Sequence, residues 1–137
     1  MSRKMITVGI VCLVLGALLA GCGGGQPTAQ PAAAVGDAAA GEALFKQATI
    51  GAAPGCSTCH STEPNQAGVG PSLAGVASRA GQRVPGQTAE QYLRNSILTP
   101  NAYVVQGFSA NVMYQDFSKV LSDQQVNDLV AYLLTLK

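Results

Sequence analysis

The only histidine of the 137-residue chain directly follows a pair of cysteines, in the segment CSTCH from Cys56 to His60. Two cysteines separated by two residues can form a redox-active disulfide, supply half of a zinc site or anchor haem through thioether bonds. The other two of the four cysteines, Cys12 and Cys22, lie near the N-terminus. The rest of the sequence must therefore distinguish a redox disulfide, a zinc site and haem attachment.

The supply of possible ligands favours haem. A structural zinc site needs four ligands, and the chain has no Cys or His after His60. A dithiol of the thioredoxin type usually lies near a βαβ pattern, and the sequence shows no strand pattern of any length. Because Cys-x-x-Cys-His is the attachment sequence of c-type haem, we predict one covalent haem c on Cys56 and Cys59, with His60 as an iron ligand.

The N-terminus indicates export. Residues 1–21 combine a basic start with an uncharged apolar run, which is the layout of a secretory signal. An uncleaved membrane anchor is the alternative, since the run is near the short limit for a spanning helix. The segment LLAGC, ending at Cys22, resembles the lipobox of bacterial lipoproteins, which implies cleavage before Cys22 and lipid on it. The alternative is an accidental cysteine after an ordinary signal.

Three parts of the chain follow from this interpretation. The lipoprotein signal is residues 1–21, residues 22–36 form a flexible tether, and residues 37–137 form the folded domain. The tether has two prolines and lacks large apolar residues, so it cannot bury enough surface to fold. Two or more acyl chains give stable anchoring, and we expect the domain to be held at the membrane on its periplasmic or outer face.

Charge and composition exclude several functions. Only 11% of the residues are charged, and removing Arg3 and Lys4 leaves six basic against seven acidic residues. No basic stripe of a nucleic-acid binder is present. Nor does the sequence contain a Ser-His pair, a carboxylate pair or a phosphate loop, so we expect no small-molecule substrate. The apolar residues are mostly small and tryptophan is absent, and a large apolar ligand would help to fill the core.

Helices must position the cysteine motif. The first is predicted over residues 37–48, with Asp37 as its N-cap, and a short helical turn follows Ser72. The third begins at the capping box TAEQ, Thr88–Gln91, and stops before Pro100, because the residue before proline disfavours helix.

The last helix has the strongest pattern. It begins at a second capping box, SDQQ, Ser122–Gln125, and Leu121 and Val126 are spaced for an apolar contact across its start. Its apolar residues fall on one face at i, i+3, i+4, i+7 and i+8; they are Val126, Leu129, Val130, Leu133 and Leu134.

Nearly all of residues 37–137 resembles the small single-haem cytochromes c of class I. The resemblance rests on GEALF, CSTCH, GVGPSLAGVASR, VMYQDF and the terminal LSDQQVNDLVAYLLTLK, and it is closest to the cytochrome c domain of haem-copper oxidase subunit II. It implies an all-α cytochrome c fold, with three to five helices around one covalently bound haem. The N- and C-terminal helices should cross at Gly41, with Phe45 packing beside Leu129 and Tyr132.

The resemblance also implies further site residues. Low-spin electron carriers need a second axial ligand, and Met113 is the only methionine left once Met1 and Met5 are removed. The family places its methionine ligand at this distance before the terminal helix. Proline usually follows that methionine, whereas this chain has Tyr114, which implies a less rigid loop.

Two residues between the motif and the third helix complete the implied site. Pro71, in GPSL, aligns with the proline whose carbonyl accepts a hydrogen bond from the ligand histidine. Arg79 aligns with an arginine that contacts a haem propionate.

Together these features predict a membrane-anchored carrier that passes single electrons between redox proteins in a respiratory or photosynthetic chain. One alternative is a fixed haem subunit of a larger membrane complex, such as a quinol-oxidising complex or terminal oxidase. A remote alternative is a peroxidase-like haem protein with a displaceable Met113. The chain is not oxidase subunit II itself, because it lacks the further Cys and His of a copper centre.

Overall fold

In a computed structural model, which describes residues 36–137, five α-helices form the framework of the domain. They are α1 (Ala38–Phe45), α2 (Val76–Ala80), α3 (Ala89–Leu98), α4 (Phe117–Val120) and α5 (Asp123–Leu133). Two 3₁₀ helices lie at Cys56–Thr58 and Pro100–Ala102. The predicted all-α class is confirmed, and the five helices fall within the implied range of three to five, although the sequence had not predicted α4. The predicted signal, the tether up to residue 35 and Cys22 fall outside the described residues.

The helices begin where their capping residues are. The Thr88 hydroxyl accepts a hydrogen bond from the Gln91 N–H (3.2 Å), and the Gln91 side chain accepts one from the Thr88 N–H (2.9 Å). Ser122 and Gln125 form the same reciprocal pair at the start of α5. The Asp37 carboxylate accepts hydrogen bonds from the first turn of α1. Each pair satisfies backbone donors that a helix start leaves free, so the predicted starts of all three helices are correct.

The end of α1 differs from the prediction. The helix stops at Phe45 instead of Ala48, and the chain turns into a small antiparallel pair, β1 (Thr49–Ile50) and β2 (Ala53–Pro54). Gly51, at the turn between them, has a left-handed φ of 56°. The expectation that no strand occurs was therefore wrong at these four residues, since a two-residue strand is too short to show alternation. No helix within residues 36–137 is long and apolar enough to cross a membrane.

The first and last helices cross as expected, in close backbone contact. A Cβ placed on Gly41 would lie 1.9 Å from the Asp128 carbonyl oxygen, so only glycine allows this approach. Beside the contact, the rings of Phe45 and Tyr132 lie 5.4 Å apart at 54°. Leu129 is 1% exposed. The crossing places α5 where Leu129 and Leu133 can form part of the wall of the site.

Replacing Gly41 with alanine should destabilise the domain by about 3 kcal/mol, at the upper end of overpacking costs, because backbone atoms cannot move aside as a flexible side chain does. Denaturant unfolding of the haem-loaded protein measures this change. Ala43→Gly, on the exposed side of α1, is the control and should cost only about 1 kcal/mol through helix propensity. Equal losses in the two variants would contradict the close crossing.

Candidate functional site

Two adjoining cavities bring together residues that are far apart in the sequence. Their volumes are about 920 and 600 Å³, open mouths included. Both are lined by Cys56, His60, Pro71, Phe108, Ser109 and Met113, and Cys59 lines the smaller one. The cysteine motif, the proline and the methionine predicted for the site therefore meet in one place.

The walls of these cavities are mainly apolar. Helices α1, α3 and α5 supply the back of the larger cavity with large side chains that also belong to the core; these are Phe45, Tyr92, Leu93, Ile97, Leu129 and Leu133. No aspartate, glutamate, lysine or arginine lines either cavity. The space is thus suited to a large apolar group and not to a charged substrate.

The cysteine motif is fixed by a tight turn. A 3₁₀ helix begins at Cys56, whose carbonyl accepts hydrogen bonds from the N–H groups of Cys59 (3.2 Å) and His60 (3.0 Å). No disulfide joins Cys56 and Cys59. Burial raises the pKa of the Cys56 thiol to about 11. The turn therefore holds both cysteines and His60 at the wall of the smaller cavity.

The orientation of His60 is set by the loop that follows the motif. Its Nδ1 lies 2.9 Å from the Pro71 carbonyl oxygen. A carbonyl can only accept, so Nδ1 carries the proton and Nε2 keeps its lone pair for a metal. Gly70 makes room for the ring, because a Cβ there would lie 2.4 Å from Cε1 of His60. The structure thus fixes the orientation of the ring and assigns the Nδ1 proton to this hydrogen bond.

Arg79 stabilises this loop from the outside. Its guanidinium donates to the carbonyl of Ser72 (2.6 Å) and to that of Ala74. Burial, with a smaller contribution from Arg83, lowers the pKa of Arg79 below its usual value. Arg79 lines neither cavity, and its contact with a haem propionate stays a prediction.

Met113 lies on an irregular segment between the second 3₁₀ helix and α4. It is partly buried and packs against the core. The Gln115 side chain donates to the Met113 carbonyl oxygen (2.6 Å), and the ring of Tyr114 meets the buried Phe117 edge-on at 5.2 Å. The sequence had marked Tyr114 as a loss of rigidity, but it had not indicated the contacts of Gln115 and Phe117.

Comparison with known proteins now identifies the family. The family model for cytochrome c matches residues 38–137, the whole of the folded domain. The chain belongs to the cytochrome c family. A cytochrome c2 of Rhodopseudomonas palustris is 34% identical over 124 residues, covering 74% of this chain and 99% of the relative. A second cytochrome c2 of that species is 30% identical in an alignment 160 positions long, which covers 100% of both chains.

Membership of the cytochrome c family indicates a covalent haem c and an electron-transfer role. The residues present fit this group, because two thiols, one imidazole and one thioether border the same uncharged cavities. Within residues 36–137, no three His, Cys, Asp or Glu side chains form a metal-binding cluster. The closer resemblance to the haem domain of oxidase subunit II stays a prediction.

Proposed function

We propose that this cytochrome c is a membrane-anchored carrier of single electrons in a respiratory or photosynthetic chain, with His60 and Met113 as axial ligands. The observation that supports it best is the placement of His60 and Met113 on the walls of cavities that also contain both motif cysteines. A haem held by His60 and Met113 would supply one-electron redox chemistry at a raised potential.

The protein residues serve this role by binding, orientation and exclusion of water. Cys56 and Cys59 would hold the group in place, while the Pro71 carbonyl orients the His60 imidazole by accepting a hydrogen bond from Nδ1. The apolar walls lower the local polarity, which favours the less charged, reduced state of a bound redox centre. None of these groups is placed to activate a substrate.

The loops that contain Pro71 and Met113 are uncharged. Val69 and Val112 line the smaller cavity and are 60% and 53% exposed. No charged residue occurs in residues 64–78 or 95–115, the segments that contain Pro71 and Met113. Attraction between opposite charges therefore contributes little to finding a partner through this face. A lipid anchor and tether would instead raise the effective concentration of the domain near membrane partners.

The proposal of a lipid anchor is based on the lipobox-like segment LLAGC, and the variant Cys22→Ser tests this proposal. With the signal intact, the variant should lose membrane attachment or fail to be processed, because the lipid is attached through the Cys22 sulfur. Fractionation of membranes and mass spectrometry of the mature N-terminus measure both results. Cys12→Ser is a matched control, since Cys12 would be discarded with the signal. A Cys22→Ser protein that stays membrane-bound and is cut at the same position contradicts the lipoprotein assignment.

Two measurements test the carrier role against its alternatives. Mild detergent extraction of native membranes should release the domain free of a stable complex, whereas constant association with one respiratory complex would indicate a fixed haem subunit. The visible spectrum of the isolated protein should show six-coordinate, low-spin iron. A five-coordinate, high-spin spectrum would favour a peroxidase-like protein instead.

A further inference from the structure

Two asparagines join the ends of the segment that precedes Met113. The Asn101 side-chain amide donates to the Asn111 side-chain oxygen (2.7 Å), and the Asn111 backbone N–H donates to the Asn101 side-chain oxygen (2.9 Å). Asn101 lies in the 3₁₀ helix after α3, and Asn111 lies two residues before Met113. This reciprocal pair, here called the asparagine clasp, closes a loop of nine residues, 102–110.

The backbone of Asn111 is suited to this contact. Its φ of 63° lies in the left-handed region, which asparagine and glycine adopt more readily than other residues. The left-handed turn reverses the chain just before Met113 and leaves the Asn111 N–H directed at Asn101. Glycine at this position would keep the backbone geometry but lose the side-chain acceptor.

The loop closed by the clasp forms part of the cavity wall. Asn101 itself lines the larger cavity, as do Tyr103, Val104, Val105, Phe108 and Ser109 within the loop. Loss of the clasp would therefore loosen a wall of the site and the segment leading to Met113. On the other side of Met113, Gln115 already holds the methionine carbonyl. Side-chain hydrogen bonds therefore hold the backbone both before Met113, at Asn111, and at the Met113 carbonyl.

We propose that the asparagine clasp positions the Met113 thioether as an iron ligand, in place of the rigidity that a proline at residue 114 would provide. The proposal rests on the ligation by Met113 proposed above. Asn101 and Asn111 are positioning residues, because they act through the backbone that carries Met113. Without the clasp, the folded domain would keep its haem, but the sulfur would be displaced more easily.

Titration of the ferric protein with imidazole measures this displacement through loss of the weak thioether–iron band at the red end of the visible spectrum. Asn101→Ala removes both hydrogen bonds and should strengthen apparent imidazole binding by about tenfold, and Asn111→Gly removes one and should strengthen it by about threefold. Asn101→Asp keeps an acceptor for the Asn111 N–H, and rotation of the Asn111 amide lets its NH2 group donate to the second carboxylate oxygen, so imidazole binding should change least in this variant. The reduction potential should fall more in Asn101→Ala than in Asn111→Gly.

Asn65→Gly is the matched control. Asn65 is an exposed asparagine with a left-handed φ of 58°, it lines neither cavity, and its side chain makes no hydrogen bond within residues 36–137. This variant should bind imidazole as the unaltered protein does. Amide hydrogen exchange at residue 111 should become faster in Asn101→Ala, which shows directly that the clasp has opened.

The outcomes separate the clasp from the ligand assignment. If Asn101→Ala speeds exchange at residue 111 but leaves imidazole binding and the potential unchanged, the clasp is structural only and the proposal is overturned. If the thioether band is absent from the unaltered protein, ligation by Met113 is wrong, and the clasp loses its role with it.

Discussion

Haem should stay on the unaltered protein after extraction with acid and organic solvent, and it should be lost completely when Cys56 and Cys59 are both replaced with alanine. The reason is that thioether bonds survive acid, whereas haem held by His60 and Met113 alone dissociates when imidazole is protonated and the fold opens. Haem staining of the extracted polypeptide after denaturing electrophoresis measures the difference. The single variants Cys56→Ala and Cys59→Ala should each keep haem through the remaining bond.

The other two cysteines provide the control for this result. Cys12→Ser and Cys22→Ser also remove one thiol each, but neither residue belongs to the haem attachment motif. Protein carrying either change should retain haem on extraction wherever it is exported. Haem that extracts freely from the unaltered protein would refute covalent attachment. It would favour the alternative that Cys56 and Cys59 form a redox-active pair.

Local signals explain which parts of the fold could be predicted. A capping box needs only four consecutive residues, and both predicted boxes are present at the starts of α3 and α5. The crossing at Gly41 could be expected because the family resemblance supplied its partner helix. The early end of α1 could not, since it depends on how Gly55 pairs with the Ala48 carbonyl, 2.8 Å away across the small hairpin.

The residues of the site likewise fall into those that could be predicted from the sequence and those that could not. Spacing and residue scarcity pointed to the cysteine motif, the family resemblance pointed to Met113, and the structure places these residues around shared cavities. The clasp was not foreseeable, because Asn101 and Asn111 are ordinary loop residues in the sequence and pair only once the loop has folded back. The room that Gly70 leaves for the His60 ring likewise depends on a contact across the following loop. Contacts of this kind have no periodic pattern to reveal them.

Met113→Ala should abolish the thioether–iron band and lower the reduction potential by on the order of 0.1 V or more, since axial ligands shift haem potentials over about 0.8 V. No other methionine or histidine remains in the mature domain to replace the sulfur. Lys46 and Lys119 are exposed and paired with Glu42 and Asp116. No lysine lines either cavity, so water is the expected ligand. The iron should then bind cyanide and, when reduced, carbon monoxide. A retained band and an unchanged potential would show that Met113 only fills the core.

Tyr114→Pro separates ligation by Met113 from the rigidity of its loop. From the sequence alone, proline should reduce displacement of the sulfur, because a compatible proline stabilises by about 0.4–1 kcal/mol. The structure adds an opposing effect, since the edge-on contact of Tyr114 with Phe117 is lost and such pairs contribute about 0.5–1.5 kcal/mol. The two effects nearly cancel, so imidazole binding should change by less than about threefold, well below the change expected for Asn101→Ala. Tyr114→Phe keeps the ring and should behave like the unaltered protein. A strong gain in resistance to imidazole in Tyr114→Pro would mean that the native loop is loose despite its side-chain hydrogen bonds.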